Sequence, residues 1–511
     1  MLAKVHSCSI LGIDGIPLEV EVDISEGLPA FDIIGLPGAT VREAKERVRA
    51  AVRNSGYTFP LSRITVNLAP ADIKKEGASF DLAIAIGLLA ATGQIPSDNL
   101  TNNSVFVGEL SLDGNLRPIN GVLAIALSLQ KRLESQELTL FLPIDNSDEA
   151  ALVDGLNIKG AKSLLQLVNH INGFENIASA RSRKCEVGEV FDRDFDFSEV
   201  KGQDIAKRAI EIAAAGSHNL LLYGPPGSGK TMLARRIPSI LPQPTREEIL
   251  DITRIHSVAG QLKPDNPLVK QRPFRSPHHS ASTAGIIGGG VNPQPGEVSL
   301  AHLGVLFFDE LPEYRSEVLE TLRQPLEDRQ VTITRFSATV TFPANFMFVG
   351  SMNPCPCGNY GDPNRECRCS PPQIHRYRSR LSGPLLDRID TQVEVPGILP
   401  DQLEGLQDGE SSGQIRKRVE KARNLQQERY KKIKVTANAG LRSRHFEKYC
   451  PITSEGRKLL NRSFRSLNLS MRAHDRIIKV ARSIADLEGS DLIETAHIAE
   501  AVQYRNLDRQ K

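Results

Sequence analysis

Gly224, Pro225, Pro226, Gly227, Ser228, Gly229, Lys230 and Thr231 run consecutively and fit the pattern G-x-x-x-x-G-K-[ST] at every constrained position. That spacing suits a loop that wraps a phosphate chain. The glycines let backbone N–H groups turn inward onto phosphate oxygens, and a helix starting at once adds the positive end of its dipole. Lys230 is placed for the β- and γ-phosphates and Thr231 for Mg²⁺, so the predicted ligands are ATP and Mg²⁺. A second constellation follows downstream. The apolar run Leu303–Phe308 ends in Asp309 and Glu310. Asp309 is expected to bind the metal ion, directly or through water, and Glu310 to orient and deprotonate the attacking water. Asn353 closes another apolar run, from Phe346, and could position the same water. Arg388 stands just before the strand-like stretch Thr391–Val395. An arginine there could reach the γ-phosphate held by a neighbouring subunit and neutralise transition-state charge. The plainer alternative is a surface Asp–Arg pair. Arg472, at the start of a later helix, could touch the same nucleotide.

These residues need rigid carriers. Asn219-Leu-Leu-Leu-Tyr223 reads as a short buried strand and Met232 to Ile237 as a helix, the strand–loop–helix setting a phosphate loop requires. The stretch Gln330 to Phe342 alternates as two strands about a turn near Arg335 and Phe336. Before the phosphate loop, Leu18, Val20, Val22 and Ile24 alternate with acidic residues, predicting a half-buried strand. Thr40 and Glu43 form a capping-box pattern, and Val41, Ala44, Val48 and Val52 share one helical face. Ile64–Leu68 and Leu138–Leu142 read as strands, Phe80–Ala91 as a buried helix and Val105–Leu116 as a hairpin turning at Asp113-Gly114. The small, polar stretch around Ala178–Lys184 reads as a linker. Beyond Gly397 the pattern is helical. Gln414–Ile433 is charge-rich and expected to be a solvated face, Met471–Glu488 is amphipathic, and a last helix covers Thr495–Arg505. The predicted organisation is an N-terminal α+β domain over 1–173, a linker over 174–195, an α/β nucleotide domain over 196–396 and a helical lid over 397–511.

Bulk properties narrow the function. With 511 residues, 40% hydrophobic and 24% charged, the chain has the make-up of a multidomain globular protein. A net charge of only +2 provides no global field for nucleic acid or membrane, so any nucleic-acid contact must be local or repeated by oligomerisation. The absence of Trp and an aromatic share of 5% leave no obvious stacking platform for single strands. The N-terminus lacks an apolar signal core, and the longest apolar run, Leu82–Thr92, is too short to span a bilayer. A cytoplasmic protein without a membrane partner is expected. Cys355, Cys357, Cys367 and Cys369 form C-x-C-x₉-C-x-C. Four thiolates suit a tetrahedral Zn²⁺, although C-x-C is tighter than the usual pair spacing; reduced loop cysteines are the alternative. His278 and His279 are further candidate ligands in a Gly-rich loop.

The ordered set of phosphate loop, Asp309-Glu310, Asn353, Arg388 and Arg472 resembles an AAA+ ATPase of the pre-sensor-1 β-hairpin group. The blocks Arg272-Pro-Phe-Arg-Ser-Pro-His278-His279-Ser280, Gly288-Gly-Gly290, Pro295–His302 and Ser351-Met-Asn-Pro-Cys-Pro-Cys-Gly358 are narrower. They resemble the magnesium-chelatase-like YifB/ComM family over nearly the whole chain. The resemblance implies that Lys230 and Thr231 are the Walker A pair, Asp309 and Glu310 the Walker B pair, Asn353 sensor 1, Arg388 the arginine finger and Arg472 sensor 2. Lys75-Glu-Gly-Ala-Ser79 is similar to the loop carrying the nucleophilic serine of Lon-type proteases, whose domain has the ribosomal S5 domain 2-like fold. Where that group has its lysine, this chain has Leu123. Leucine cannot take the hydroxyl proton, so an inactive Lon-like domain is expected. By resemblance the function is that of an ATP-driven hexameric ring acting on branched or single-stranded DNA, in branch migration or helicase action during recombination and natural transformation. Candidate DNA-contacting loops are the Arg335 hairpin and the insert Arg272–Gly290. The rivals are a magnesium-chelatase or MoxR-like remodeller of a protein or metallo-cofactor, a non-motor ATP sensor and an active Lon-type protease.

Overall fold

A computed structural model describes residues 1–96, 103–132, 138–181, 195–263, 265–335, 339–362, 365–397, 409–467 and 469–505. The N-terminal part is one mixed sheet of seven strands: β1 (Leu2–Leu11), β2 (Asp14–Ser25), β3 (Ala30–Ile34), β4 (Arg63–Ala69), β5 (Ser104–Phe106), β6 (Leu138–Pro143) and β7 (Leu156–Ala161), in the order β3-β4-β2-β1-β5-β6-β7. The alternation in β2 does what it predicts: Leu18, Val20 and Val22 are buried, while Glu19 and Glu21 face outward to pair with Lys4. One sheet face is covered by α1 (Ala39–Asn54), α2 (Asp81–Ala91) and α4 (Leu164–Ile171), the other by α3 (Val122–Gln130). Every residue of α2 is buried, which explains its lack of a polar stripe.

Two local expectations differ. The N-cap of α1 is Gly38, with no side-chain cap, so Thr40 and Glu43 are not a capping box. The loop before the helix is instead tied by the Gly38 N–H donating to the Lys75 carbonyl at 2.8 Å. The segment from Val105 to Leu116 is not one long hairpin: β5 joins the large sheet, and only Glu109–Leu110 pairs with Leu116–Arg117 around Asp113-Gly114. Most of the expected linker, and Phe336 at the hairpin tip, lie outside the described residues.

The second sheet is wholly parallel, in the order β9-β10-β13-β8-β14. Its strands are β8 (Leu220–Tyr223), β9 (Phe274–Arg275), β10 (Val305–Phe308), β13 (Met347–Met352) and β14 (Thr391–Glu394), and an antiparallel hairpin, β11 (Gln330–Thr334) with β12 (Thr339–Pro343), precedes β13. Around it lie α5 (Asp204–Gly216), α6 (Lys230–Ile240), α7 (Arg246–Val258), α8 (Pro371–Arg378) and α9 (Gly383–Leu386). Because both faces of the sheet are covered, the strands read as continuous apolar runs. Of the C-terminal helices α10 (Ser412–Tyr430), α11 (Ser454–Ser466), α12 (Met471–Glu488) and α13 (Thr495–Gln503), α10 and α12 pack on α5, α13 packs on α12 and α11 on α13, and all share one apolar core with α5.

The charge-rich α10 is more embedded than its composition suggests. Ile415, Val419, Ala422 and Tyr430 are buried, the Arg416 Nε donates to the Ser239 carbonyl at 2.9 Å, and Arg429 pairs with buried Asp486 at 2.7 Å. The N-terminal part and the part built on the parallel sheet meet along α3 and α7. Val122, Leu123 and Ile125 share a core with Ile249 and Leu268. Buried Glu149 accepts from the Leu123 N–H at 2.9 Å and from the Ser257 hydroxyl.

Candidate nucleotide site

Strand β8 ends at Tyr223 and the chain turns at once through residues 224–229 into α6. The turn needs its glycines. A Cβ on Gly224 would stand 2.1 Å from the Val395 carbonyl oxygen, and Gly227 and Gly229 have φ of +79° and +91°. The Ser228 hydroxyl, at the centre of the loop, is buried without a hydrogen-bond partner. A cradle that admits no Cβ, an unpaired buried hydroxyl and a helix N-terminus together fit a phosphate chain.

The lysine is folded onto its own loop. Lys230 Nζ donates to the carbonyls of Gly224 at 2.9 Å and Pro225 at 2.8 Å, and to Asn353 Oδ1 at 3.3 Å. Burial pushes its pKa below the usual lysine value, an effect that Asp309 and Glu310 oppose. Thr231 Oγ1 donates to Asp309 Oδ2 at 2.9 Å, so the two expected Mg²⁺ residues already touch. Ser351 of β13 donates to the other Asp309 oxygen, and its hydroxyl accepts from the Glu310 N–H at 3.0 Å. Glu310 is exposed and sits at φ +52°, a left-handed conformation unusual outside glycine. Lys230, Thr231, Asp309, Glu310 and Asn353 thus converge at the C-terminal ends of β8, β10 and β13. This is where open parallel sheets bind ligands.

Arg388 and Arg472 are elsewhere. Strand β14 runs parallel to β8 with Thr391 opposite Leu220 and Glu394 opposite Tyr223. Arg388 precedes β14 and therefore lies at the opposite end of the sheet, beyond about 13 Å of strand. Its guanidinium donates to the Pro384 carbonyl at 2.8 Å and pairs with Glu327. Arg472, exposed at the N-terminus of α12, lines the same cleft as Arg388, a cavity of about 980 Å³ that also includes Arg329, Arg442, Arg444 and Arg476. Below this cleft, Asp390 accepts from the Asn219 N–H at 2.8 Å and pairs with Arg476. Burial alone would raise its pKa, but Arg476, His218 and Lys479 hold it well below the usual carboxylate range.

Three contributors to the site were not foreseen. Gln203 donates to the carbonyls of Pro396 at 2.7 Å and Ser228 at 3.3 Å, bracing the loop from below. Ser351 orients both acidic residues. Gly358 lies against Pro226. Gln203 carries no spacing signal of its own, and the Ser351–Gly358 block does not reveal what its two end residues touch; only the fold shows those contacts. Two expected loop cations prove structural. Arg272 is held by the carbonyls of Pro242 and Leu303 and by Glu248, and Arg275 by Glu297 at 2.6 Å. Arg335 is exposed, next to Gly289. His278 and His279 are exposed and pack ring to ring at 4.0 Å, and they join no ligand cluster among the described residues. The four cysteines do converge, with all sulfurs within 4.8 Å of one another. No helix among the described residues is long and apolar enough to cross a membrane.

Comparison with known proteins agrees with this architecture. Residues 196–403 match the family model described as magnesium chelatase, subunit ChlI, residues 20–146 that of subunit ChlI of Mg-chelatase, and residues 409–505 that of the ChlI C-terminal region. The chain is 45% identical over 513 aligned residues to competence protein ComM of Haemophilus influenzae, covering 99% of this chain and 98% of that one. It is 44% identical to the YifB protein of Escherichia coli over 99% of this chain and 98% of the relative. A shorter match, 29% over 149 residues, reaches Lon protease 2 of Bacillus subtilis, covering 27% of this chain and 26% of that protein. A magnesium-chelatase nucleotide sheet with its acidic pair and phosphate loop, likeness to ComM and YifB from end to end, and a helical C-terminal region together show that the chain belongs to the magnesium-chelatase-like ComM/YifB family.

Proposed function

We propose that the chain is an ATP-driven motor that works as a ring of copies, six by family resemblance, on branched or single-stranded DNA, catalysing branch migration or strand separation. The observation that carries the ring is the separation of Arg388 and Arg472 from the phosphate loop of their own chain. Lys230, Thr231, Asp309, Glu310 and Asn353 lie at one end of the sheet, and the cationic cleft at the other. A second copy docked head to tail would set that cleft against the first copy's γ-phosphate, and a head-to-tail contact that closes makes a ring. In this reading Thr231 and Asp309 hold Mg²⁺, Lys230 releases its loop carbonyls to grip the β- and γ-phosphates, and Glu310 with Asn353 directs the water. Arg388 and Arg472 of the adjoining copy neutralise the charge of the transferring phosphoryl group.

DNA as the polymer rests on the competence role in the name of the Haemophilus relative. Arg335 on the hairpin and the neighbouring loop with Val291, 79% exposed, are the strand-gripping elements of this reading. Loss of Arg272 and Arg275 to structural pairing concentrates the proposed phosphate contacts on fewer cations. The N-terminal domain is Lon-like without peptidase action. Ser79 lines a cleft with Glu109 and Asn120, while Leu123 is fully buried in the core joining the two halves and holds no base. The test is ATP turnover with and without forked or four-way DNA, paired with particle imaging in ATP and Mg²⁺. Stimulation and closed rings are expected. Turnover indifferent to DNA, with rings intact, would favour the second reading, a remodeller of a protein or metallo-cofactor complex, which the magnesium-chelatase models matched along the chain also support.

A further inference from the structure

The cysteine cluster lies immediately after Asn353, and the sulfurs of Cys355, Cys357 and Cys367 are in mutual contact. Cys355 to Cys357 is 3.4 Å, Cys355 to Cys367 is 3.7 Å and Cys357 to Cys367 is 3.6 Å. A disulfide would bring two sulfurs to about 2.05 Å. A tetrahedron of thiolates with metal–sulfur bonds of about 2.3 Å has edges of about 3.8 Å. These three edges match the second figure, all four sulfurs lie within 4.8 Å of one another, and the group is too tight to surround an iron–sulfur cluster.

The knot also touches the nucleotide machinery. Gly358, between the two Cys pairs at φ +83°, leaves so little room that a Cβ there would stand 2.4 Å from Pro226 of the phosphate loop. On the other side, Arg378 of α8 donates to the Pro354 carbonyl at 3.1 Å and covers the Tyr360 ring at 5.2 Å. One loop therefore spans Asn353, the phosphate loop and α8.

We propose that Cys355, Cys357, Cys367 and Cys369 bind one structural Zn²⁺, and that the ion stiffens the loop that presses Gly358 onto Pro226, so that zinc occupancy sets nucleotide affinity. The second half rests on the phosphate-loop reading; the first does not. Without the ion, the two C-x-C arms have no other covalent tie, and the contact with Pro226 loses its backing.

The experiment uses the full chain, purified reduced and without chelator. Metal is measured by elemental analysis, the site geometry by the ligand-field spectrum after Co²⁺ replacement, and affinity with a fluorescent ATP analogue. One Zn²⁺ per chain and a tetrahedral thiolate Co²⁺ spectrum are expected. Cys357→Ser and Cys367→Ser should lose both, with nucleotide affinity falling about tenfold. Gly358→Ala leaves every ligand in place, so it should keep its zinc yet lose affinity to a similar degree. Lys230→Ala should keep its zinc while losing nucleotide, which separates failure of the metal site from failure of the ATP reading. Protein that holds almost no zinc, takes up none when reconstituted or carries iron instead overturns the site. Cysteine variants that fold and bind nucleotide like the wild type overturn the coupling.

Discussion

If Arg388 acts only on a neighbour's nucleotide, two inactive variants can repair one another. Lys230→Ala removes the lysine of its own phosphate loop but keeps Arg388, whereas Arg388→Ala keeps an intact loop and loses the finger. Alone, each should be nearly inactive. An arginine finger contributes about a thousandfold or more to turnover, or about 4 kcal/mol of barrier. The geometry excludes self-supply: Arg388 stands beyond about 13 Å of strand from the end of β8, farther than its side chain reaches. When the two variants are mixed in equal amounts, half of the sites carry an intact loop, and half of those face a subunit with an intact finger. Random assembly therefore restores about a quarter of wild-type turnover, provided the sites act independently. The assay is steady-state phosphate release across a series of mixing ratios, with subunits exchanged before ATP is added. The expected curve is a dome peaking at equal amounts. A flat line at the level of the separate variants, from preparations shown to co-assemble, would refute the trans assignment of Arg388.

Other outcomes follow from the same geometry. Glu310→Gln should leave nucleotide binding intact and slow hydrolysis about a thousandfold, read as trapped ATP in single-turnover experiments. Asp390→Asn leaves Arg476 without its partner beneath the helical lid and should destabilise the chain by about 3–5 kcal/mol in urea titrations. The pKa of Asp390 is depressed in the folded state, so its stabilisation is complete above the unfolded value of about 3.8 and fades only as pH falls toward the folded one. The gap between wild type and variant should therefore stay constant from neutral pH to about pH 5. Leu123→Lys should not create a peptidase. It puts an ammonium into the core shared with Ile249, so a loss of about 3 kcal/mol in stability and no cleavage of unfolded casein are expected.

The convergence of the candidate nucleotide residues at one end of the sheet was legible in the sequence because their pattern is local. A phosphate loop is a run of eight neighbours, and Asp309-Glu310 and Asn353 each close an apolar strand that announces itself. The alternation in β2 and the uniform apolarity of α2 were readable for the same reason. What stayed hidden depends on long-range contact. The Thr40 pattern failed because the backbone of Lys75 holds Gly38 at the helix start. The charges of Arg272, Arg275 and α10 looked available, yet tertiary partners far along the chain claim several of them. Gln203, Ser351 and Gly358 gained their places only when distant segments met.

The seam between α3 and α7 bears on whether the ATP-handling half is a separable part. Ile249 and Leu268 are 1% and 6% exposed within the core they share with α3 of the N-terminal part, and Glu149 ties Leu123 to Ser257 across the join. A shortened chain beginning at the linker would present that oily strip and an orphaned serine to water. The front third of this molecule is accordingly no detachable accessory. Grafting a different front piece onto the ATP-handling half would succeed only if the graft brought its own matching strip, a requirement that keeps the two halves travelling together.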